Sequence, residues 1–286
     1  MWISDKWQDY ELIDCSGGER LERWGSQILV RPDPQVIWNT EKKDKRWKSY
    51  DAAYSRSDKG GGAWVKKDLP KSWKISYDKL SFNVKPMNFK HTGLFPEQAV
   101  NWDFIRRTIS SAKREIKVLN LFAYTGAATV AALSAGAFVC HVDAAKGMVN
   151  WAKENAASSG VAEMPVRWIV DDCIKFVERE IRRGNKYDAI IMDPPSYGRG
   201  PSGEVWRLED NLWGFVSLCA QLLSDDPLFV LINSYTTGLS PSTLTYISDS
   251  IFIKRFGGRS ESRELGLTCT SSGLILPCGA SMRWIR

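Results

Sequence analysis

From Lys117 onward, the apolar positions of this chain fall into short runs separated by stretches with helical spacing. The runs at 117–122, 137–142, 166–170, 187–192 and 227–233 predict strands. The segments at about 127–135, 146–158, 172–183 and 208–223 predict helices, and 97–114 predicts a helix leading into them. Strands that alternate with helices build a parallel sheet with helices on both faces. The tail departs from that rhythm. Strand-like 264–269, a Ser271-Ser272-Gly273 turn, then 274–277 and 281–285 predict a closing antiparallel hairpin.

Upstream of residue 90 the period changes to two, as in Gln27–Val30 and Leu80–Val84, with a turn at Gly60-Gly61-Gly62. This part holds Trp2, Trp7, Trp24, Trp38, Trp47, Trp64 and Trp73, and basic clusters at Lys42–Lys48 and Trp64–Lys67. The expected fold is α/β. A small β-rich unit at 1–90, suited to substrate recognition, precedes a doubly wound, mostly parallel seven-stranded sheet in residues 91–286.

Composition narrows the setting. A chain of 286 residues has room for two modest domains. No run is apolar and long enough to cross a bilayer, and Met1–Lys6 lacks a signal pattern. The six cysteines are scattered with no C-x-x-C pair, and there are two histidines. That pattern argues against a disulfide framework or a metal centre and leads us to expect a reducing cytoplasm. The net charge of +6 is compatible with nucleic acid as partner. The number of protomers stays open.

The strand ends carry the chemistry. Phe122-Ala123-Tyr124-Thr125-Gly126 puts one glycine at a strand-to-helix junction. The G-x-G-x-x-G spacing that lets backbone approach a pyrophosphate is absent, which disfavours a dinucleotide and with it a dehydrogenase. A nucleoside ligand without pyrophosphate needs one close approach, as the methionine portion of S-adenosylmethionine does. Asp143, at the tip of the second strand, can accept from both ribose hydroxyls or cap the helix near Lys146. Of Asp171 and Asp172, one can accept from an adenine amino group while the other caps the next helix. Asp193-Pro194-Pro195-Ser196-Tyr197 ends the fourth strand. Its prolines fix the backbone, Asp193 and the Pro194 carbonyl offer acceptors to a substrate N–H, and Tyr197 offers a stacking face.

Together these motifs resemble class I S-adenosylmethionine-dependent methyltransferases. The nearer resemblance is to the bacterial large-subunit ribosomal RNA methyltransferase family, whose members modify cytosine C5 or guanine N7. It rests on Asn120–Gly126, Val142-Asp143-Ala144, Asp171-Asp172 and Asp193–Tyr197, with Phe95-Pro96-Glu97-Gln98 similar to an extra cofactor-contacting segment. The resemblance implies S-adenosylmethionine as cofactor and RNA as partner. It implies a cofactor set of Phe95, Glu97, Gln98, Asn120, Phe122, Ala123, Tyr124, Thr125, Gly126, Asp143, Ala144, Asp171, Asp172, Cys173 and Asp193. Asp193, Pro194 and Tyr197 would serve the substrate.

Two departures matter. The segment before the sheet is short for the family's N-terminal RNA-binding module. The cysteine nucleophile that cytosine-5 chemistry needs is missing from Leu231–Tyr235 and from Asp193–Ser196. Transfer to nitrogen is therefore expected over transfer to cytosine C5. A methyltransferase for a small molecule or protein side chain, and a non-catalytic nucleotide-binding module, are the alternatives.

Overall fold

The computed structural model describes residues 1–57, 61–66, 69–199 and 205–286, with the Lys66 and Arg199 side chains left out. Gly60 of the expected turn and Lys67 of the second basic cluster lie outside the described residues. Two compact units divide the chain. One is Trp2–Val100 with Leu265–Cys278; the other is Asn101–Glu264 with Gly279–Arg286 and Met1.

In the first unit, β1 is Trp2–Ile3, β2 is Tyr10–Ser16, β3 is Glu19–Trp24, β4 is Gln27–Pro32, β5 is Ala52–Arg56 and β6 is Gly62–Lys66. Strands β2 to β6 form a five-stranded sheet in chain order, antiparallel except for β4 beside β5. A hairpin of β7 (Trp73–Tyr77) and β8 (Leu80–Val84) follows. Its alternation is literal: Ile75, Tyr77, Leu80, Phe82 and Val84 are buried, and the residues between them are not.

The tryptophans are mostly framework. Trp24 is fully buried, 4.9 Å from the Tyr10 ring and beneath the Arg31 guanidinium. The indoles of Trp7, Trp38, Trp64 and Trp73 donate to backbone carbonyls of their own unit, and Trp47 donates to Asp14. Nor is the Lys42–Lys48 cluster a bare basic face. Lys42 pairs with Glu19 at 2.6 Å and lies over the Trp47 ring, Lys43 pairs with Glu41, and Arg46 pairs with Asp44. Local carboxylates spend most of the charge that the sequence seemed to offer to phosphates.

In the second unit the predicted alternation appears. Helix α1 (Ala99–Ser111) precedes β9 (Lys117–Leu121), α2 (Ala127–Ser134), β10 (Phe138–Asp143), α3 (Lys146–Ser158), β11 (Val166–Val170) and α4 (Cys173–Arg182). Then come β12 (Ala189–Met192), a hairpin of β13 (Tyr197–Arg199) and β14 (Val205–Arg207), α5 (Leu208–Cys219), β15 (Phe229–Ser234) and α6 (Pro241–Ser248). The long strands β16 (Arg259–Thr268) and β17 (Ile275–Ile285) close the chain. The predicted 97–114 helix is shorter than expected and begins with a 3-10 turn at Pro96–Gln98.

The sheet order is β1-β16-β17-β15-β12-β9-β10-β11. It has eight strands instead of seven, because Trp2–Ile3 pairs with Leu265–Gly266. Five strands, β11 to β15 in that order, are parallel; β17 is antiparallel to β15. Strands β12 and β15 are buried along their whole length, as a sheet covered on both faces requires. This is a Rossmann-like, doubly wound fold with a smaller β-rich N-terminal part. The order reverses between β9 and β12, whose neighbours continue in opposite directions, so their carboxyl ends open a cleft.

Candidate cofactor and substrate site

The loop after β9 holds Phe122, Tyr124 and Gly126 at φ of 53°, 51° and 80°. Left-handed backbone at two bulky residues costs about 1–2 kcal/mol each and persists only where the surroundings hold it. The holding contacts are visible. Phe122 N donates to Cys173 Sγ at 3.3 Å, Ala123 N to Val142 O at 3.1 Å, Tyr124 N to Asp143 Oδ2 at 2.8 Å and Gly126 N to Ala123 O at 2.9 Å. These loop amides are spent inside the protein. With those amides engaged, the loop offers few of the backbone donors that cradle a phosphate.

Gly126 opens α2, and the absence of a side chain is dictated by packing. A Cβ there would stand 2.6 Å from the Ala152 Cβ on α3. Thr125 is buried and its carbonyl accepts from Asn155.

Asp143 joins the loops. Its second oxygen takes Tyr124 N; its first takes Ala145 N at 2.9 Å. Residue Ala145, not Asp143, is the N-cap of α3, and Ala144 lies between them. Burial raises the Asp143 carboxyl above its ordinary range, and the two backbone donors pull it back. Each oxygen keeps a lone pair, enough to accept from a ribose diol. Asp143→Ala is expected to weaken S-adenosylmethionine binding by about 1.5–3 kcal/mol, read by calorimetry. Unchanged affinity would remove Asp143 from the site.

The Asp171-Asp172 ambiguity acquires a geometry. Asp172 caps α4, accepting from Lys175 N at 2.9 Å. Asp171 pairs with Arg179 and accepts from the Asp172 amide. Cys173 is buried at the start of α4. Desolvation raises its thiol pKa well above the ordinary range.

Asn120 is placed in the core. Its amide nitrogen donates to Thr129 Oγ1 at 2.9 Å, and that hydroxyl lies 2.9 Å from His141 Nδ1. The Thr129 hydroxyl and His141 Nδ1 share a hydrogen bond, and His141 Nε2 is buried with no hydrogen-bond partner among the described residues. Burial drives the His141 pKa down to about 3, so the ring is neutral.

At the end of β12, Pro194 is buried, Asp193 is half-buried and Tyr197 stands 52 % exposed on β13. The tip is braced from two sides. Trp206 on β14 donates to Pro195 O at 2.6 Å, and Thr236, beyond β15, donates to Ser196 Oγ at 2.8 Å. Trp206 also packs with Phe122 and Phe215, ring centroids 5.5–5.7 Å apart. Sequence reasoning missed these braces. The aromatic and hydroxyl side chains downstream of the prolines were the only signal.

Phe95, Glu97 and Gln98 belong to the other unit. Glu97 is buried, and desolvation raises its carboxyl pKa. Its Oε2 has no partner among the described residues, so one buried acceptor is open there. Gln98 is buried and Phe95 half-buried, 5.3 Å from the His91 ring. Among the described residues no group of three His, Cys, Asp or Glu could hold a metal, and no helix is long and apolar enough to cross a membrane.

Comparison with known proteins bears on the same residues. A family model for S-adenosylmethionine-dependent methyltransferases matches residues 44–224. The crystal structure of a SAM-dependent methyltransferase from Agrobacterium tumefaciens is 36% identical with a TM-score of 0.93, covering 99% of this chain and 92% of its own. A Streptococcus mutans structure of the same fold is 18% identical with a TM-score of 0.74, covering 98% and 76%. Ribosomal RNA large subunit methyltransferase K/L of Shewanella frigidimarina is 33% identical over 131 residues, 46% of this chain and 17% of its own length. That of Magnetococcus marinus is 28% identical over 203 residues, 70% and 25%. The chain thus spans about a quarter or less of these curated relatives.

Proposed function

We propose, for a chain that belongs to the S-adenosylmethionine-dependent methyltransferase family, that the methyl acceptor is a nitrogen of a ribosomal RNA base. The protein is a methyltransferase enzyme and S-adenosylmethionine is its cofactor. The residues of the cleft fit that cofactor, since loop amides after β9 are already engaged, as a ligand without pyrophosphate allows, and Asp143 stands ready for a diol. When bound, the cofactor supplies an electrophilic methyl group on sulfur.

The chain's own residues do the positioning. Asp143 takes the ribose, and the loop 122–126, with Ala144 beside it, shapes the wall around the cofactor. Asp171, at the tip of β11, accepts from adenine with the lone pairs that Arg179 and the Asp172 amide leave it, Asp172 serving as the helix cap. Asp193 and the Pro194 carbonyl accept from a base N–H, orient its lone pair toward the methyl carbon and draw off the proton's charge. Tyr197 stacks on the base once it has swung out of its helix. The β-rich N-terminal part contributes RNA contacts.

RNA as substrate class is supported by the likeness to ribosomal RNA large subunit methyltransferases K/L. The choice of nitrogen is carried by one observation: all six cysteines are buried, and Cys269, the one whose thiol pKa is lowered (to about 5, by its hydrogen bond with Cys15), lies in the unit that does not hold the strand-end motifs. Cys173, the one bonded to the glycine loop, carries a thiol whose pKa burial raises, and Cys219 is raised likewise. Cytosine-5 transfer requires a thiolate that adds to the base. The enzyme should form no covalent adduct with RNA containing 5-fluorocytosine, and Cys173→Ser with Cys219→Ser should retain activity. Nucleoside mass spectrometry of ribosomal RNA from cells lacking the protein should show the loss of one N-methylated base. A trapped adduct, or loss of 5-methylcytidine, would sink the nitrogen assignment.

A further inference from the structure

Within the second unit, the face of the sheet under α1 carries an arginine cluster that the cofactor cleft does not use. Asn101 Nδ2 donates to Asn233 Oδ1 and to Ser281 Oγ, both at 3.1 Å. The Asn101 carbonyl oxygen accepts Nε and Nη2 of Arg283 at 3.0 and 2.6 Å. The guanidinium also lies 4.6 Å from the centroid of the Phe104 ring. Arg283 is thus held rigid and is only 8 % exposed.

A cavity of about 510 Å³ opens beside it, lined by Phe104, Arg107 and Thr108 of α1, Arg259, Ser260 and Glu261 of β16, and Arg283 and Ile285 of β17. Positions 104, 107 and 108 share one helix face by their spacing. Glu261 is engaged by Arg263. Arg107 and Arg259 have no salt-bridge partner among the described residues. Three guanidinium groups therefore meet one carboxylate that is already shared. Burial, then the charge of Arg107, pulls the Arg283 pKa down to about 9, with Arg263 adding to the pull and Glu261 and Asp103 opposing it. Burial is the larger cause; the geometry adds the second, since Arg107 and Arg259, unpaired among the described residues, line the same cavity and leave positive charge there that an anion would offset.

We propose that this cavity is a phosphate-binding site that grips the backbone of the RNA substrate away from the target base. Phosphate is the fitting anion, because planar guanidinium groups pair with its oxygens in forks. Thr108 and Ser260 bring hydroxyl groups to the same wall. Ile285 pairs with Phe229 at the start of β15, whereas the cleft lies beyond Ser234 at its other end. Five residues of strand separate them by roughly 16 Å. That is about five nucleotides of a stacked strand at ~3.4 Å each. The inference rests on the RNA reading above for its ligand's source, and on the cavity alone for its chemistry.

The test uses the full chain with Arg107→Gln and Arg259→Gln combined, both exposed residues outside the catalytic machinery. Binding to protein-free large-subunit ribosomal RNA is measured across a salt series, with S-adenosylmethionine affinity as control and inorganic phosphate as a separate ligand. The expected result is RNA affinity about 10-fold or more weaker, a salt slope shallower by about 1–2, and unchanged cofactor affinity. The lysine pair, Arg107→Lys with Arg259→Lys, should restore most of the slope. An unchanged slope and affinity would overturn the proposal. Phosphate binding that the glutamine pair abolishes, with RNA binding untouched, would overturn the RNA grip and assign the site to a free anion. If the wild type binds cofactor and phosphate but no RNA, the substrate reading fails, the RNA grip falls with it, and the anion site stands.

Discussion

Asp193→Ala should lower turnover by about 100-fold or more while leaving S-adenosylmethionine affinity largely intact. Methyl transfer is a displacement at carbon, and its rate depends on holding the acceptor lone pair in line with the breaking bond. The end of β12 is built for such holding. Met192 is paired on both sides, with Leu121 of β9 and Ile232 of β15, so the strand cannot drift. The next residue, Asp193, leaves the sheet, Pro194 is buried behind it, and Trp206 and Thr236 brace the turn. A carboxylate presented from so rigid a frame has little entropy left to lose, and removing it forfeits alignment more than affinity. Asp193→Asn keeps one acceptor oxygen and should recover part of the rate. Single-turnover kinetics beside calorimetry separates the outcomes. A matched loss of cofactor affinity and rate would make Asp193 a cofactor ligand in the main.

Legibility in the sequence followed the range of the forces involved. The parallel strands were plain because a strand buried on both faces must be apolar throughout, as Ala189–Met192 and Phe229–Ser234 nearly are. Helix α6 went unread, since Pro-Ser-Thr-Leu-Thr-Tyr-Ile-Ser is poor in helix formers; a Ser240 cap starts it and Leu244 and Ile247 pack it into the core. Strand β1, two residues long, carries no period at all. The site divided in the same way. Asp143 and Asp193 were visible because strand-end position is a local property. What could not be seen was which partners would already occupy a candidate. Asp172 capping α4 was a local possibility equal to that for Asp171, and Asn120 turned inward to Thr129, 9 residues on, whose hydroxyl meets His141 a further 12 residues along. The pairing of Lys42 was hidden for the same reason, because Glu19 meets it only after β3 folds, whereas Glu41 beside Lys43 and Asp44 beside Arg46 are local.

Gly126→Ala should destabilise the protein by about 3 kcal/mol and loosen the cofactor loop with it. Two independent penalties add. Alanine at φ of 80° costs about 1–2 kcal/mol in left-handed strain. The new Cβ, 2.6 Å from the Ala152 Cβ and 3.2 Å from its Cα, adds about 1–3 kcal/mol of overpacking. The clash cannot be relieved by a side-chain rotation, because both groups are anchored to backbone, one at the start of α2 and the other within α3. Shifting the loop instead would stretch the bonds that Tyr124 and Ala123 make to β10. A double-mutant cycle distinguishes strain from crowding. Ala152→Gly alone should cost about 1 kcal/mol through helix propensity. Combined with Gly126→Ala, it should return about 1–2 kcal/mol of coupling, measured by urea unfolding. Additive losses with no coupling would mean that the loop yields before α3 does. In that case the conformation of residues 122–126 is softer than its hydrogen bonds imply, and S-adenosylmethionine affinity should survive the substitution.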